Sequence, residues 1–178
     1  MSKTSLPILL VLTLTLRIAS AQSTFQANLS GLNEVPANAS TASGFGTVVL
    51  NAAQNQITVD LSFSGLTGGN ATAAHIHGPG GAGTNASVIF PFSGVPSATS
   101  GSIPQQSFAI NATQVGYLFS GYLYMNVHNA TFPGGEIRGQ LTLVPEPSTL
   151  ALTGLALVSF AWYLRRRHST HQSSEMPR

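Results

Sequence analysis

No cysteine occurs among the 178 residues, so disulfides, thiolate metal ligands, thiol nucleophiles and redox pairs are all excluded. Charge is nearly as scarce, since Asp, Glu, Lys and Arg together make up 7% of the chain. Between Gln22 and Pro147 the charged residues are Glu34, Asp60, Glu136, Arg138 and Glu146, a net of −3, and the +2 of the whole chain comes from its two ends. Nucleic acid needs a basic face on the folded part, and this distribution provides none. Also missing are a Gly-x-Ser-x-Gly elbow, a phosphate loop and a His-Glu-x-x-His motif. Paired carboxylates would have to come from Glu34, Asp60 and Glu136 alone. With so thin a catalytic supply, the expectation is a protein that is not an enzyme.

What is present is a middle rich in Gly, Ser, Thr, Asn and Ala, interleaved with β-branched and aromatic residues. In 57–64, Ile57, Val59, Leu61 and Phe63 alternate with polar residues, the period of a half-buried strand. Further strands are expected at 25–32 (edge-like), 44–50, 73–77, 88–92, 108–110, 122–128 and 136–143, with a turn or short helix over 113–118. No repeat of 20–50 residues is evident. The pattern predicts an all-β domain over 22–143, a Greek-key β-sandwich or flattened barrel held by core burial without disulfides.

The two ends read as addresses. Lys3, the apolar run 6–16, and small residues at Ala19 and Ala21 match a secretory signal peptide over 1–21, cut by signal peptidase after Ala21. At the other end Pro145, Glu146 and Pro147 precede an uncharged run, 149–164, which Arg165, Arg166 and Arg167 close. This tripartite end resembles the PEP-CTERM sorting signal of Gram-negative and related bacteria. The resemblance implies a sorting segment over 144–167, an exosortase-type peptidase as partner, and passage through the inner membrane to the cell surface or extracellular matrix. A transmembrane helix is expected at about 148–164, with the arginines and a tail over 168–178 on the cytoplasmic side. An ordinary uncleaved anchor is the alternative.

Three histidines fall in the middle region. His75 and His77 end one strand, and His128 ends another with the same parity, opposite to Ile76 and Val127. Two imidazoles at i and i+2, joined by a third from another strand, can offer three neutral nitrogens to copper or zinc. Alternatively, they are sheet histidines bonding the loops at 78–80 and 129–135. Glu136 and Arg138 share that same outward face and are expected as a surface pair near the histidines. Tyr122 and Tyr124 also lie there, as sheet cover or as a sugar platform. Six Asn-x-Ser/Thr sequons begin at Asn28, Asn38, Asn70, Asn85, Asn111 and Asn129, and turn-forming asparagine is the favoured reading over glycosylation.

The segments 44–50, 61–66, 74–79, 121–128 and 133–141 together resemble the CHRD (chordin-type) domain, an extracellular module that also occurs alone in microbial secreted proteins. The resemblance covers about 24–143 and carries no defined enzymatic activity. More distantly, the order Gly-Leu-Thr-Gly, His-x-His, and a later His followed by Gly-Gly-x-x-Arg is similar to copper/zinc superoxide dismutases. That likeness implies copper at His75, His77 and His128, with Arg138 as their active-site arginine. The second-metal histidines and the disulfide of that family are missing, so it implies kinship of fold and not dismutation. The expected function is therefore an exported binding or adhesion module, with exopolysaccharide or surface proteins as partners. A mononuclear copper or zinc protein is the alternative.

Overall fold

The computed structural model describes residues 22–145 and 149–172. The expected signal peptide with Ala19 and Ala21, the motif residues Glu146 and Pro147, and the end of the tail lie outside the described residues. Nine strands form one antiparallel sheet: β1 Ser23–Ser30, β2 Ser43–Leu50, β3 Gln56–Ser64, β4 Ala71–His77, β5 Val88–Pro91, β6 Gly101–Ala109, β7 Tyr124–Asn129, β8 Ile137–Gln140 and β9 Thr142–Leu143. Their order is β5-β4-β7-β8-β1-β2-β3-β6, with β9 also paired to β1. The ends of this path approach each other, since Phe90 of β5 and Phe92 just beyond it lie 5.3 and 6.1 Å from Phe108 of β6. The result is a nearly closed barrel.

Alternation fills its interior. Phe25, Ala27 and Leu29 of β1, Ile57, Val59, Leu61 and Phe63 of β3, Ile76 of β4, Met125 and Val127 of β7 and Ile137 of β8 are all buried in one cluster. Helix α1, Ala112–Phe119, closes one end with Leu118 and Val115 inward and Phe119 edge-on to Phe25 at 5.2 Å. Its start is fixed by a capping box: Asn111 Oδ1 accepts from Gln114 N–H at 2.9 Å, and Gln114 Oε1 accepts from Asn111 N–H at 3.0 Å.

Two strand expectations change. β1 is central, pairing with β2 on one side and with β8 and β9 on the other, because its apolar set faces the barrel interior and leaves both edges free to pair. β6 is much longer than the expected 108–110. Its polar run was illegible as a strand because it lies at the end of the sheet path, where Pro104 costs no inner ladder bond.

At Gly139 the backbones of β8 and β1 come so close that an added Cβ would lie 2.5 Å from the Asn28 carbonyl oxygen. Backbone cannot step aside as a side-chain tip can. Gly139→Ala is therefore expected to destabilise by about 1–3 kcal/mol, read as a lower midpoint in urea with an unchanged slope.

Helix α2 runs Thr149–Gln172. Among the described residues, no helix is long and apolar enough to cross a membrane, which departs from the transmembrane expectation at about 148–164. The uncharged run is sixteen residues, and Arg165, Arg166 and Arg167 follow it within the same helix. Sixteen residues rise only about 24 Å, short of a bilayer core of about 30 Å.

Candidate functional site

β7 is buried along its whole length, on both faces. One face carries Met125 and Val127 into the apolar interior, while the other carries Tyr124, Asn126 and His128. Register extends this second face sideways: His77 pairs with Tyr124 and Tyr124 with Gln140, and His75 pairs with Asn126 and Asn126 with Arg138. Partners directly opposite in an antiparallel ladder share a face, so the parity expected for His75, His77, His128 and Arg138 is observed.

The face is not solvent, however. Arg138 is 1% exposed and Glu136 0%, so the expected surface pair is corrected to two separate buried groups. Parity places a residue on a face but says nothing of the loops that cover it. Arg138 holds down loop 78–87, donating to the carbonyls of Gly81 and Thr84 at 3.1 and 2.8 Å and to Asn85 Oδ1 at 3.2 Å. Its guanidinium lies 3.4 Å above the Tyr124 ring, whose other neighbour His77 stacks at 4.9 Å and 4°. Tyr124 is thus sheet cover, locked between a cation and an imidazole. Glu136 turns the other way, accepting from Ser40 Oγ, the Thr67 and Gly68 backbones, Thr67 Oγ1 and Asn129 Nδ2.

The three histidines converge beside this layer, each offering one ligand atom within 4.8 Å of the others. His77 and His128 are each 8% exposed, while His75 is half-buried. His77 Nδ1 lies 2.9 Å from the Ala86 carbonyl and His128 Nδ1 lies 3.0 Å from that of Pro133. A carbonyl only accepts, so both Nδ1 atoms carry hydrogen and both Nε2 atoms are bare lone pairs in the neutral rings. The two Nδ1 atoms thus bond the loops, as one of the two readings expects, and the Nε2 atoms take no loop bond.

Those lone pairs have too few donors. Among the described residues, His77 Nε2 is buried with no hydrogen-bond partner. His128 Nε2 lies 3.0 Å from His75 Nδ1 and 2.9 Å from Asn126 Oδ1. The Asn126 amide is oriented by its NH2, which donates to the Gly134 carbonyl at 3.3 Å, so an oxygen faces a nitrogen lone pair. His75 can bring a single N–H to this group. Nitrogen and oxygen lone pairs gathered without enough protons are what a cation satisfies.

Added protons are disfavoured. Burial, with the neighbouring His128 and His77, lowers His75 to about 4. Burial also lowers His77, against the opposing effects of Ala86 and the Asn126 side chain, and lowers His128 against the bond to Pro133. Neutral imidazoles are the form that binds metal. A tetrahedral site with bonds of 2.0–2.1 Å needs nitrogens about 3.4 Å apart, so His75 Nδ1 and His128 Nε2, at 3.0 Å, are already near that spacing and any wider pair, up to 4.8 Å, would draw in on binding. The His–carbonyl bonds are the usual outer partners of metal-binding histidine, fixing tautomer and ring plane.

Asn126 was missed as a site residue in the sequence, although its parity with His128 two positions on pointed to it. Glu34 was missed also, since it lay in a break between strands. It is 6% exposed, and burial pushes its carboxyl up to about 7 against the lowering effects of Arg138 and the Val35 N–H.

These shifts oppose one another with pH. Unfolded histidine takes up a proton near 6.5, but folded His75 does so only near 4, so histidine-linked stability is present above 6.5 and is lost as pH falls. Folded Glu34 keeps its proton to about 7 where the unfolded carboxyl loses it near 4.5, which favours the fold at the acid end. Three groups outweigh one. The Tm of the metal-free protein is expected to fall between pH 6.5 and 4.5 and to fall more steeply in Glu34→Gln; a flat or rising profile contradicts the assignment.

The sequons also acquire structural roles. Asn38 bonds the Glu136 carbonyl, Asn85 the Val35 carbonyl and Arg138, Asn111 caps α1, and Asn129 is 1% exposed.

Among known families, the description "CHRD domain" matches residues 25–141, and "PEP-CTERM protein-sorting motif" matches residues 143–167. Comparison with curated proteins and with solved structures returns no match.

Proposed function

Because the chain belongs to the CHRD domain family and carries a PEP-CTERM sorting motif for exosortase-type processing and export to the bacterial cell surface, we propose that it displays a metal-holding β-barrel outside the cell. The mature domain begins after signal-peptidase cleavage at Ala21 and runs to 143, followed by the sorting segment 144–167 and the tail 168–178. His75, His77 and His128 hold one copper or zinc ion, with Asn126 beside it and Arg138 and Glu136 fixing the surrounding loops. The observation that carries this reading is the buried, unpartnered His77 Nε2 aimed at two further histidines.

Three imidazoles suit copper and zinc, and leave a coordination position for water or an outside ligand on the side where His75 reaches solvent. An adhesive role for the same protein, toward exopolysaccharide or surface proteins, is supported by the sorting motif alone. Titration of the purified protein with copper or zinc against a competing chelator tests the metal reading. One equivalent, with slowed exchange of the loop amides at 86 and 134, is expected; weak binding at several equivalents contradicts it.

A further inference from the structure

On the far side of Asn126 from the histidines lies a second unsatisfied group. Glu34 is 6% exposed, and among the described residues its Oε1 has no hydrogen-bond partner. The carboxylate fits because residue 135 is glycine: at φ +128 a side chain is disfavoured, and a Cβ there would meet Glu34 Oε1 at 2.2 Å. Glu34 lines a cleft of about 270 Å³ between segments 34–38 and 131–135. Val35, Pro36, Phe132 and Pro133 give this cleft apolar walls, and Glu34 is its one charged lining residue. A second cleft on the other side of Glu34 is lined by Arg138 as well, whose charge repels cations.

An apolar slot lined by an acid whose Oε1 lacks a hydrogen-bond partner, and by the aromatic Phe132, calls for an alkyl chain ending in a cationic donor. Its volume is below the roughly 300–1,000 Å³ of cofactor sites, which limits the occupant to side-chain size. We infer that the cleft between 34–38 and 131–135 binds a primary alkylammonium group, with Glu34 as its anion. The single lysine of the sequence, Lys3, lies outside the described residues, and the occupant inferred is a group of another molecule. Burial raises this carboxyl to about 7 even against the lowering effects of Arg138 and the Val35 N–H, so a further cationic donor at Oε1 would still favour its anion. The inference is independent of the metal reading.

The test is a titration of the full chain with n-butylammonium and, separately, with Nα-acetyl-lysinamide, followed by NMR shifts of the Phe132 and Gly135 amides. Saturable shifts are expected. Both probes binding identifies a peptide-borne lysine as an acceptable source, and n-butylammonium alone identifies a free amine. Glu34→Gln is expected to weaken binding by about tenfold or more, the loss of one charge-assisted bond. Ala37→Trp, which obstructs the cleft and keeps the acid, should weaken it likewise, while Asp60→Asn leaves it unchanged. Absence of saturable shifts, or equal binding by wild type and Glu34→Gln, overturns the inference.

Discussion

Glu136→Ala is expected to destabilise the protein by about 3–5 kcal/mol and to lower its Tm by about 10–20 °C. The side chain is fully buried, and its carboxylate gathers the Thr67 N–H at 2.6 Å, the Gly68 N–H at 3.1 Å, Ser40 Oγ at 2.5 Å, Thr67 Oγ1 at 2.8 Å and the Asn129 amide. Burial alone would raise its pKa, but these donors more than offset that and hold the carboxyl below its ordinary range, so the group is an anion. On truncation the two hydroxyls can turn toward each other, being already 3.2 Å apart. The two backbone N–H groups and the amide cannot, and each stranded donor costs about 1–3 kcal/mol. Glu136→Gln keeps the shape but sets an NH2 among donors, so an intermediate loss is expected. Urea unfolding of the three proteins checks the order. Wild-type stability in Glu136→Ala would show that the anion does not tie segments 38–40 and 67–68 to the barrel.

The second large effect is on metal. His77→Ala is expected to reduce copper or zinc affinity by more than the ~10–100-fold that losing an outer partner costs, because His77 supplies a direct nitrogen. Its fold should survive, since the ring's ties are the bond to the Ala86 carbonyl and the stack on Tyr124, and removing the ring also removes a buried nitrogen without a hydrogen-bond partner. Asn126→Leu separates the site's parts: it deletes the oxygen at 2.9 Å from His128 Nε2 while keeping all three rings. A loss within the outer-partner range is expected there. Competition titration with a chromophoric chelator measures both. Equal affinities in wild type and His77→Ala would remove His77 from the site.

The row of polar residues could be read from alternation alone. Ile76, Met125 and Val127 commit one face of β4 and β7 to the core, and the period of two then brings His75, His77 and His128 together across the ladder. What alternation does not encode is the covering of that face. Loops 78–87 and 129–136 are held by Arg138, His77 and His128 themselves, over sequence separations of 5 to 57 residues, so the burial of Arg138 follows from contacts that local pattern cannot show. Asn126 was passed over because an amide on a strand has no motif of its own. β6 was shortened because Ile103 is its one fully buried apolar residue, too few to mark a period. The short helix after Asn111 was legible, since Asn and Gln three apart announce a cap.

The central claim is that this barrel holds a metal ion on three histidines. Elemental analysis of the protein as isolated and after exposure to copper and to zinc, with His77→Ala beside it, tests that most directly. The account predicts one copper or zinc per chain in the wild type and loss of that stoichiometric ion in the variant. Substoichiometric metal in the wild type under every condition, or an equal content in the variant, would contradict it.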